Sequence, residues 1–439
     1  MVIELKIQKI IFGGFGLGEY EGVKVFVPYT CPEERLLVNI KEKKKHYWLG
    51  EIKEILEPSP FRIKPKCPIF TQCGGCDFLH IDYFYQLVLK KLIVNDSLQH
   101  LGKIFFPLKN PLPVLPFNYR NKVQMVIKKN KKVSIGYYKK NTHEVIENPD
   151  CLINPNIFNE IRNSFKQFLE ENNFEIYDEK TQKGNLRFLV MRLGIKTDKI
   201  LLIVVGKEYD KRIERFMDSL SPEIKNKIIG FLYNLNPLPK NRILSRDSIV
   251  IFGDPFYFEE LLNKKFRISV NSFFQIHYEA TKILLKRILE LMVPEEDDII
   301  FDLYSGVGVF SVILSPYVKE IIGVESEKSA YEDALFNKII NDCLNINFLL
   351  GRCEDVLSQL PKATKIILDP PRKGLSPIVI KELARILPQV ILYVSCNPTT
   401  FVRDLKTLLT FNYEIETIEL IDMFPQTYHI EILAKLIKK

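Results

Sequence analysis

The stretch that most restricts the fold is "DDIIFDLYSGVGVFSVIL", residues 297–314: an apolar run, a Ser-Gly-Val-Gly turn, then an apolar run of helical character. A strand that enters a helix through a G-x-G turn lets the backbone approach a ligand closely, in the crevice beyond the strand's carboxyl end. The same alternation continues through "EIIGVESE", "TKIILDPPRKGL", "PQVILYVSCNPTT" and "DMFPQTYHIEILAKL". Residues 266–439 are therefore predicted to form an α/β, Rossmann-like doubly wound domain. A dinucleotide needs a longer fingerprint, G-x-G-x-x-G, to seat its pyrophosphate. Here Gly306 and Gly308 are followed by Ser311. An adenosine without phosphates fits better, which points to S-adenosylmethionine. Glu325, closing the next strand, is placed to accept both ribose hydroxyls; the alternative role is an acid at a helix N-terminus.

A chain of 439 residues exceeds one ordinary core. Residues 1–56 read as short strands around glycine-rich turns such as "FGGFGLGEYEG", the pattern of a small OB-like β-barrel, with Lys43, Lys44 and Lys45 at a hairpin. Pro58, Pro60 and Pro65 mark a linker. Residues 57–265 form a central α+β region. Its predicted helices are "DYFYQLVLKKLIVNDSLQHL" and "PNIFNEIRNSFKQFLEENN"; its predicted strands are "RNKVQMVIKK", "KVSIGYYKK", "LRFLVMRLG" and "KILLIVVG". The opening "MVIELKIQKI" alternates like a strand rather than a signal peptide, and no apolar run is long enough to span a bilayer, so a cytoplasmic protein is expected.

The formal net charge is +8, and its distribution is uneven. Between Gly102 and His143 there are ten Lys or Arg and no Asp or Glu, interleaved with Phe105, Phe106, Phe117, Tyr119, Tyr137 and Tyr138. Cations beside aromatic faces suit single-stranded nucleic acid. A pair of strands with a solvated lysine face gives the same pattern.

"KCPIFTQCGGCDFLH" spaces Cys67, Cys73 and Cys76 as C-x5-C-x2-C. Clustered thiolates in a reducing compartment bind soft metals rather than form disulfides. Cys151, in a loop flanked by prolines, is the best fourth ligand. Zinc favours two paired C-x2-C knuckles, so the spacing is read as a [4Fe–4S] site.

Cys396 in "YVSCNPTT" lies on the same carboxyl-end rim as the cofactor turn and Asp369 of "DPPR". A thiolate, two carboxylates and a methyl donor beside a nucleic-acid surface suit methylation of uracil carbon 5. That carbon becomes nucleophilic only when a thiolate adds to carbon 6. Cys396 is the candidate nucleophile and Glu431 the base for the carbon-5 proton. Asp369 is placed to face the base or the methyl donor, and the target base must leave its stack.

The chain resembles the RNA (uracil-5-)-methyltransferase family, in its iron–sulfur 23S rRNA branch, over nearly its whole length. "IFGGFGLGEYEGVKVFVPYTCPEE" is similar to a TRAM domain, and "CPIFTQCGGCDFLH" with Cys151 to the family's cluster ligands. "VNSFFQIH", "DLYSGVGVF", "GVESE", "LDPPRKGL", "SCNPTT" and "FPQTYHIE" match the methyltransferase motifs in order. The resemblance implies that Gln275, Tyr304, Glu325 and Asp369 bind S-adenosylmethionine, that Cys396 is the nucleophile and that Glu431 accepts the proton. It also implies a flipped uridine of 23S rRNA as target, with no protein partner. The chain departs from the family pattern at Ser305 and Val309, while Cys31, Cys343 and Cys353 match no functional motif. The alternatives are a tRNA T-loop uridine as target, and a non-catalytic RNA-binding iron–sulfur protein.

Overall fold

The computed structural model describes residues 1–140, 142–148, 150–237 and 243–439. The chain divides into two compact units, one made of Met1–Thr71, Gly75–Pro116 and Leu368–Lys439, the other of Gln72–Gly74 and Phe117–Ile367.

The first unit opens with β1 (Val2–Lys6), β2 (Lys9–Ile11), β3 (Phe15–Tyr20), β4 (Val23–Pro28), β5 (Arg35–Lys43) and β6 (Tyr47–Glu57). Their order is β1-β5-β6-β4-β3-β2. The two end strands are consecutive in the chain, separated only by Ile7 and Gln8. Ile7 donates to Glu34 O on one side and Gln8 to Leu17 O on the other, so the sheet closes on itself. Period-two alternation sends Ile3, Leu5, Val25, Val27, Leu36 and Val38 inward, as a small barrel needs. Lys43, Lys44 and Lys45 sit at the β5–β6 turn, as expected. Asp82 caps the next helix, Tyr83–Ser97, by accepting from the N–H groups of Phe84 and Tyr85, and Leu98–Gly102 continue it as a π-helical turn.

The second unit contains a seven-stranded sheet built from β7 (Lys122–Lys129), β8 (Val133–Tyr138), β9 (Val145–Ile146), β10 (Leu186–Gly194), β11 (Lys199–Gly206), β12 (Ile228–Leu235) and β13 (Ser248–Gly253). The order is β13-β12-β11-β10-β7-β8-β9; β11 and β12 pair in parallel and the other neighbours antiparallel. Helix Asn156–Glu171 covers one face: Phe158, Ile161, Phe165, Phe168 and Leu169 recur at helical spacing and pack on Val123, Met125 and Ile127 of β7. A hairpin of β14 (Phe256–Leu261) and β15 (Lys264–Ser269) follows.

Then come β16 (Ile299–Leu303), β17 (Glu320–Glu325), β18 (Ile346–Leu350) and β19 (Lys365–Leu368), ordered β18-β17-β16-β19, with β16–β17 and β17–β18 parallel. In the first unit β20 (Val390–Ser395), β21 (Tyr413–Ile421) and β22 (Glu431–Lys438) are ordered β20-β22-β21 and pair antiparallel. The expected α/β alternation is present, with helices Val309–Leu314, Lys328–Ile340, Pro377–Ile386 and Pro398–Leu408 between strands.

Asp333, fully buried on helix Lys328–Ile340, ties this part of the second unit together. Its carboxylate accepts from Arg267 Nε (2.6 Å), Ser269 N (2.7 Å), Ser269 Oγ (2.7 Å) and Ser272 Oγ (2.6 Å). Removing it leaves the Arg267 charge uncompensated in a mostly buried setting. Asp333→Ala is expected to cost about 3–5 kcal/mol, read as a lowered urea midpoint. A shift below about 1 kcal/mol would show that the network adds little to the fold.

Candidate active site

Strand β20 ends at Ser395, and Asn397 opens helix Pro398–Leu408. The Asn397 side chain accepts from the Thr399 N–H at 3.0 Å, and Pro398 fills the first helical position, where no N–H is needed. Cys396 is thus held, half-buried, between a strand end and a helix start. In the β20–β22 ladder Ser395 pairs with Ile432. Continuing that antiparallel register by one residue sets Cys396 opposite Glu431, which is only 3% exposed. Asn397 Nδ2 and Thr400 Oγ1 both donate to the carbonyl of Arg372, at 3.0 and 3.1 Å. These bonds hold the Asp369–Arg372 turn against the cysteine.

The charges at this strand end oppose one another. The Cys396 thiol is raised to about 11, chiefly by burial and then by Glu431 and Asp369, while Arg372 opposes the rise, partly through a side-chain hydrogen bond. Glu431 is raised well above the carboxylate range, first by burial and then by Asp369, again opposed by Arg372. Arg372 acts on both groups, and nothing in the sequence reading had singled it out, although it closes the "DPPR" motif.

In the second unit, Gly306 and Gly308 adopt φ of +56° and +82°, conformations that side chains rarely tolerate. A Cβ on Gly306 would meet nothing within 4 Å, whereas one on Gly308 would lie 2.6 Å from Phe348. The turn is therefore packed beneath and open above. Glu325 Oε2 accepts from Gly306 N at 2.9 Å and Oε1 from Glu327 N at 2.6 Å. Ser326 Oγ also donates to Oε1 at 3.4 Å, so the carboxylate fixes the turn through three contacts. Buried Asp302 accepts through Oδ2 from Ser311 N (3.1 Å) and Oγ (2.6 Å), and burial lifts its carboxyl to about 6. Asp302 Oδ1 and Ser305 Oγ are buried with no hydrogen-bond partner. Orphaned polar atoms around an open glycine turn fit a polar cofactor.

Tyr304, half-buried, has φ +67°, a strained value for an aromatic residue. The buried Cys353 thiol bonds to its backbone and side chain, so a cysteine without a motif helps to hold this conformation. Gln275 is half-buried, and its carbonyl accepts from Asn121 Nδ2 at 2.8 Å. Fully buried Arg192 donates to Val270 O (2.8 Å) and Ser272 O (2.7 Å), pinning the same segment.

Cys73 and Cys151 both act on the Tyr137 ring, whose hydroxyl donates to Asn154. Cys67 and Cys76 lie in the first unit, both half-buried. Among the described residues no group of three or more His, Cys, Asp or Glu side chains is arranged to hold a metal ion. Pro149, one of the prolines flanking Cys151, lies outside the described residues. Of the six interleaved aromatics only Phe105 is exposed; Tyr119 is buried and stacks on His277, with ring centroids 4.7 Å apart. Tyr137 and Tyr138 end β8, and Tyr137 packs against the core under the β7–β8 pair.

The sequence profile of the tRNA (uracil-5-)-methyltransferase family matches residues 203–362 and 350–439. The chain belongs to this family. An RNA methyltransferase of Clostridium tetani is 35% identical over 429 residues, spanning 96% of this chain and 93% of that protein. One from Halalkalibacterium halodurans is 33% identical, spanning 99% and 96%. The crystal structure of Pyrococcus abyssi tRNA (uracil-54, C5)-methyltransferase, in complex with S-adenosyl-L-homocysteine, is 28% identical, covers 99% of both chains and superposes with a TM-score of 0.80. This uracil-5-methyltransferase family carries out S-adenosylmethionine-dependent RNA methylation. Among the described residues no helix is long and apolar enough to cross a membrane.

For a family member whose thiol is raised to about 11, sulfur reactivity must climb with pH. Alkylation of Cys396 by iodoacetamide, followed by peptide mass spectrometry, is expected to accelerate about tenfold per unit between pH 7 and 10. Arg372→Gln should slow it at every pH. A plateau by pH 8 would mean that the thiolate is already stabilised.

Proposed function

We propose that the protein methylates carbon 5 of a uridine in RNA through a covalent bond between Cys396 and carbon 6 of the base. The observation that carries this reading is that Cys396 and Glu431 come next after the Ser395–Ile432 pair that ends the β20–β22 ladder, and that the Glu431 charge acts on the Cys396 thiol. Gln275, Tyr304 and Glu325 are the residues that would hold S-adenosylmethionine, which supplies an electrophilic methyl group when bound. The Cys396 thiol gives up its proton to water; the sulfur then adds to carbon 6, and the electron pair of the 5,6 double bond moves to carbon 5 and the adjacent carbonyl. Carbon 5 takes the methyl group. Glu431 then removes the proton from carbon 5, the double bond re-forms and the sulfur leaves as thiolate. Asp369 faces the same pair and is placed to hydrogen-bond the N3 edge of the uracil; Arg372 favours the thiolate. Burial and Asp369 disfavour the ionised Glu431, while Arg372 favours it.

For the target we favour a flipped uridine of 23S rRNA in the cytoplasm, with residues 1–56 as an RNA-binding barrel of the TRAM type, 57–265 as the cluster-bearing region and 266–439 as the catalytic domain. A tRNA uridine is the second reading. The Pyrococcus abyssi tRNA enzyme matches this chain over 99% of both lengths, so the N-terminal extension is compatible with either RNA. Tritium release from 5-tritiated uridine separates them: release from 23S rRNA transcript and none from tRNA is expected, and the reverse result would overturn the rRNA target. Cys396→Ala should abolish release while RNA still binds. Glu431→Gln should accumulate a protein–RNA adduct that survives denaturation, and its absence would assign the base elsewhere.

The spacing of Cys67, Cys73, Cys76 and Cys151 supports a proposed [4Fe–4S] cluster. Anaerobically purified protein should contain about four iron and four sulfide per chain. One zinc without sulfide would rule the cluster out.

A further inference from the structure

Glu431 follows a loop, 422–430, that has little regular structure of its own, yet it must present the carboxyl to the cysteine. That loop is bolted to helix Tyr83–Ser97 within the first unit. Lys90 Nζ, fully buried, lies 2.5 Å from Asp422 Oδ1, also fully buried, and donates to Phe424 O at 2.9 Å. The Tyr83 hydroxyl donates to the other oxygen, Asp422 Oδ2, at 3.0 Å. One turn away, Gln86 and Gln426 bond reciprocally: Gln86 Nε2 donates to Gln426 Oε1 at 3.0 Å, and Gln426 N donates to Gln86 Oε1 at 3.2 Å. Gln426 O accepts from the N–H groups of both Asp77 and Phe78, at 2.9 Å each. Gln426 has φ +67°, a conformation held by these contacts rather than preferred by the residue.

We propose that Lys90, with Tyr83 and Gln86, is a positioning network for the general base: it sets the Asp422–Gln426 loop and through it the direction from which Glu431 meets carbon 5 of the base. Asp422 directly follows Ile421, and Ile421 pairs with Glu431 across the β21–β22 ladder. A shift of the anchored aspartate is therefore passed to the strand pair that carries the base. The inference rests on Glu431 as proton acceptor. It places these residues outside contact with substrate, acting on one step of the reaction rather than on all of them.

The test uses the full chain and a double variant, Lys90→Met with Asp422→Leu, which removes both charges together and so leaves no uncompensated ion. With 5-tritiated RNA and S-adenosylmethionine, adduct formation is expected to stay within about threefold of the parent while tritium release falls about a hundredfold, the scale of a misplaced catalytic group. Denaturation-resistant adduct should accumulate. Equal loss of both steps, or no change in either, overturns the positioning role. Tyr83→Phe removes one hydroxyl and keeps the ion pair; it should shift the same partition by a few-fold, and it carries the test if the double variant does not fold. An adduct in Glu431→Gln but none in these variants overturns this inference alone. No adduct in Glu431→Gln takes down the base assignment as well.

Discussion

The site depends on one electrostatic constraint. A thiol and two carboxyl groups share a buried strand end, and each disfavours charge on the others. The antiparallel register of β20 and β22, which ends in the Ser395–Ile432 pair, brings Cys396 and Glu431 next in line and so imposes this crowding. Burial and the neighbouring acids push both the thiol and Glu431 toward their neutral forms, and Arg372 acts on both in the direction of ionisation. Under the proposed mechanism, a base that enters with a polar N3–H edge and displaces water is what would most change this balance.

The cofactor turn follows a different logic, that of hydrogen-bond accounting. Glu325 spends part of its accepting capacity on Gly306 and Glu327, so the strand end and the glycine turn are fixed before any ligand is present. Asp302 does the same for the start of the following helix through Ser311. What remains unsatisfied, Asp302 Oδ1 and Ser305 Oγ, lies beside a glycine with open space above it. Tyr304 is held in a left-handed conformation between them, with Cys353 bonded to it. Rigidity here is placed where a ligand must find its partners in position.

Much of this was legible in the sequence because the relevant physics is local. Period-two alternation located the barrel strands and period 3.6 located helices Tyr83–Ser97 and Asn156–Glu171. The turn chemistry of Gly306, Gly308 and Asn397-Pro398 fixed where strands give way to helices. The β14–β15 hairpin, with Arg267, Ser269 and nearby Ser272 held by Asp333, was not legible, because its anchor comes from a helix more than sixty residues away in the chain. Arg372 was overlooked since its importance lies in facing two acids, which spacing does not reveal. Which aromatics of residues 102–143 are free to stack was not legible either: composition records rings and cations, but not that Tyr119 spends its face on His277. The family pattern identified the acids and the thiol, while their mutual charge became visible only in three dimensions.

A buried Lys90–Asp422 pair is a costly way to attach a loop. Desolvation of two ions consumes most of what their attraction returns, and well-packed apolar side chains commonly give equal or better stability. Hydrophobic contact, however, is non-directional, and a loop packed by it alone can slide by fractions of an ångström at little cost. The ion pair works differently: Asp422 is held through both oxygens, by Lys90 and Tyr83, and Lys90 is held in turn by Phe424 O. One helical turn from Lys90, the closed Gln86–Gln426 amide pair fixes the same loop a second time. Breaking one partner would leave a buried charge, at about 3–5 kcal/mol, so few alternative loop positions are accessible. If Glu431 is the proposed base for a single carbon-bound proton, a narrow distribution of positions is worth more than added stability.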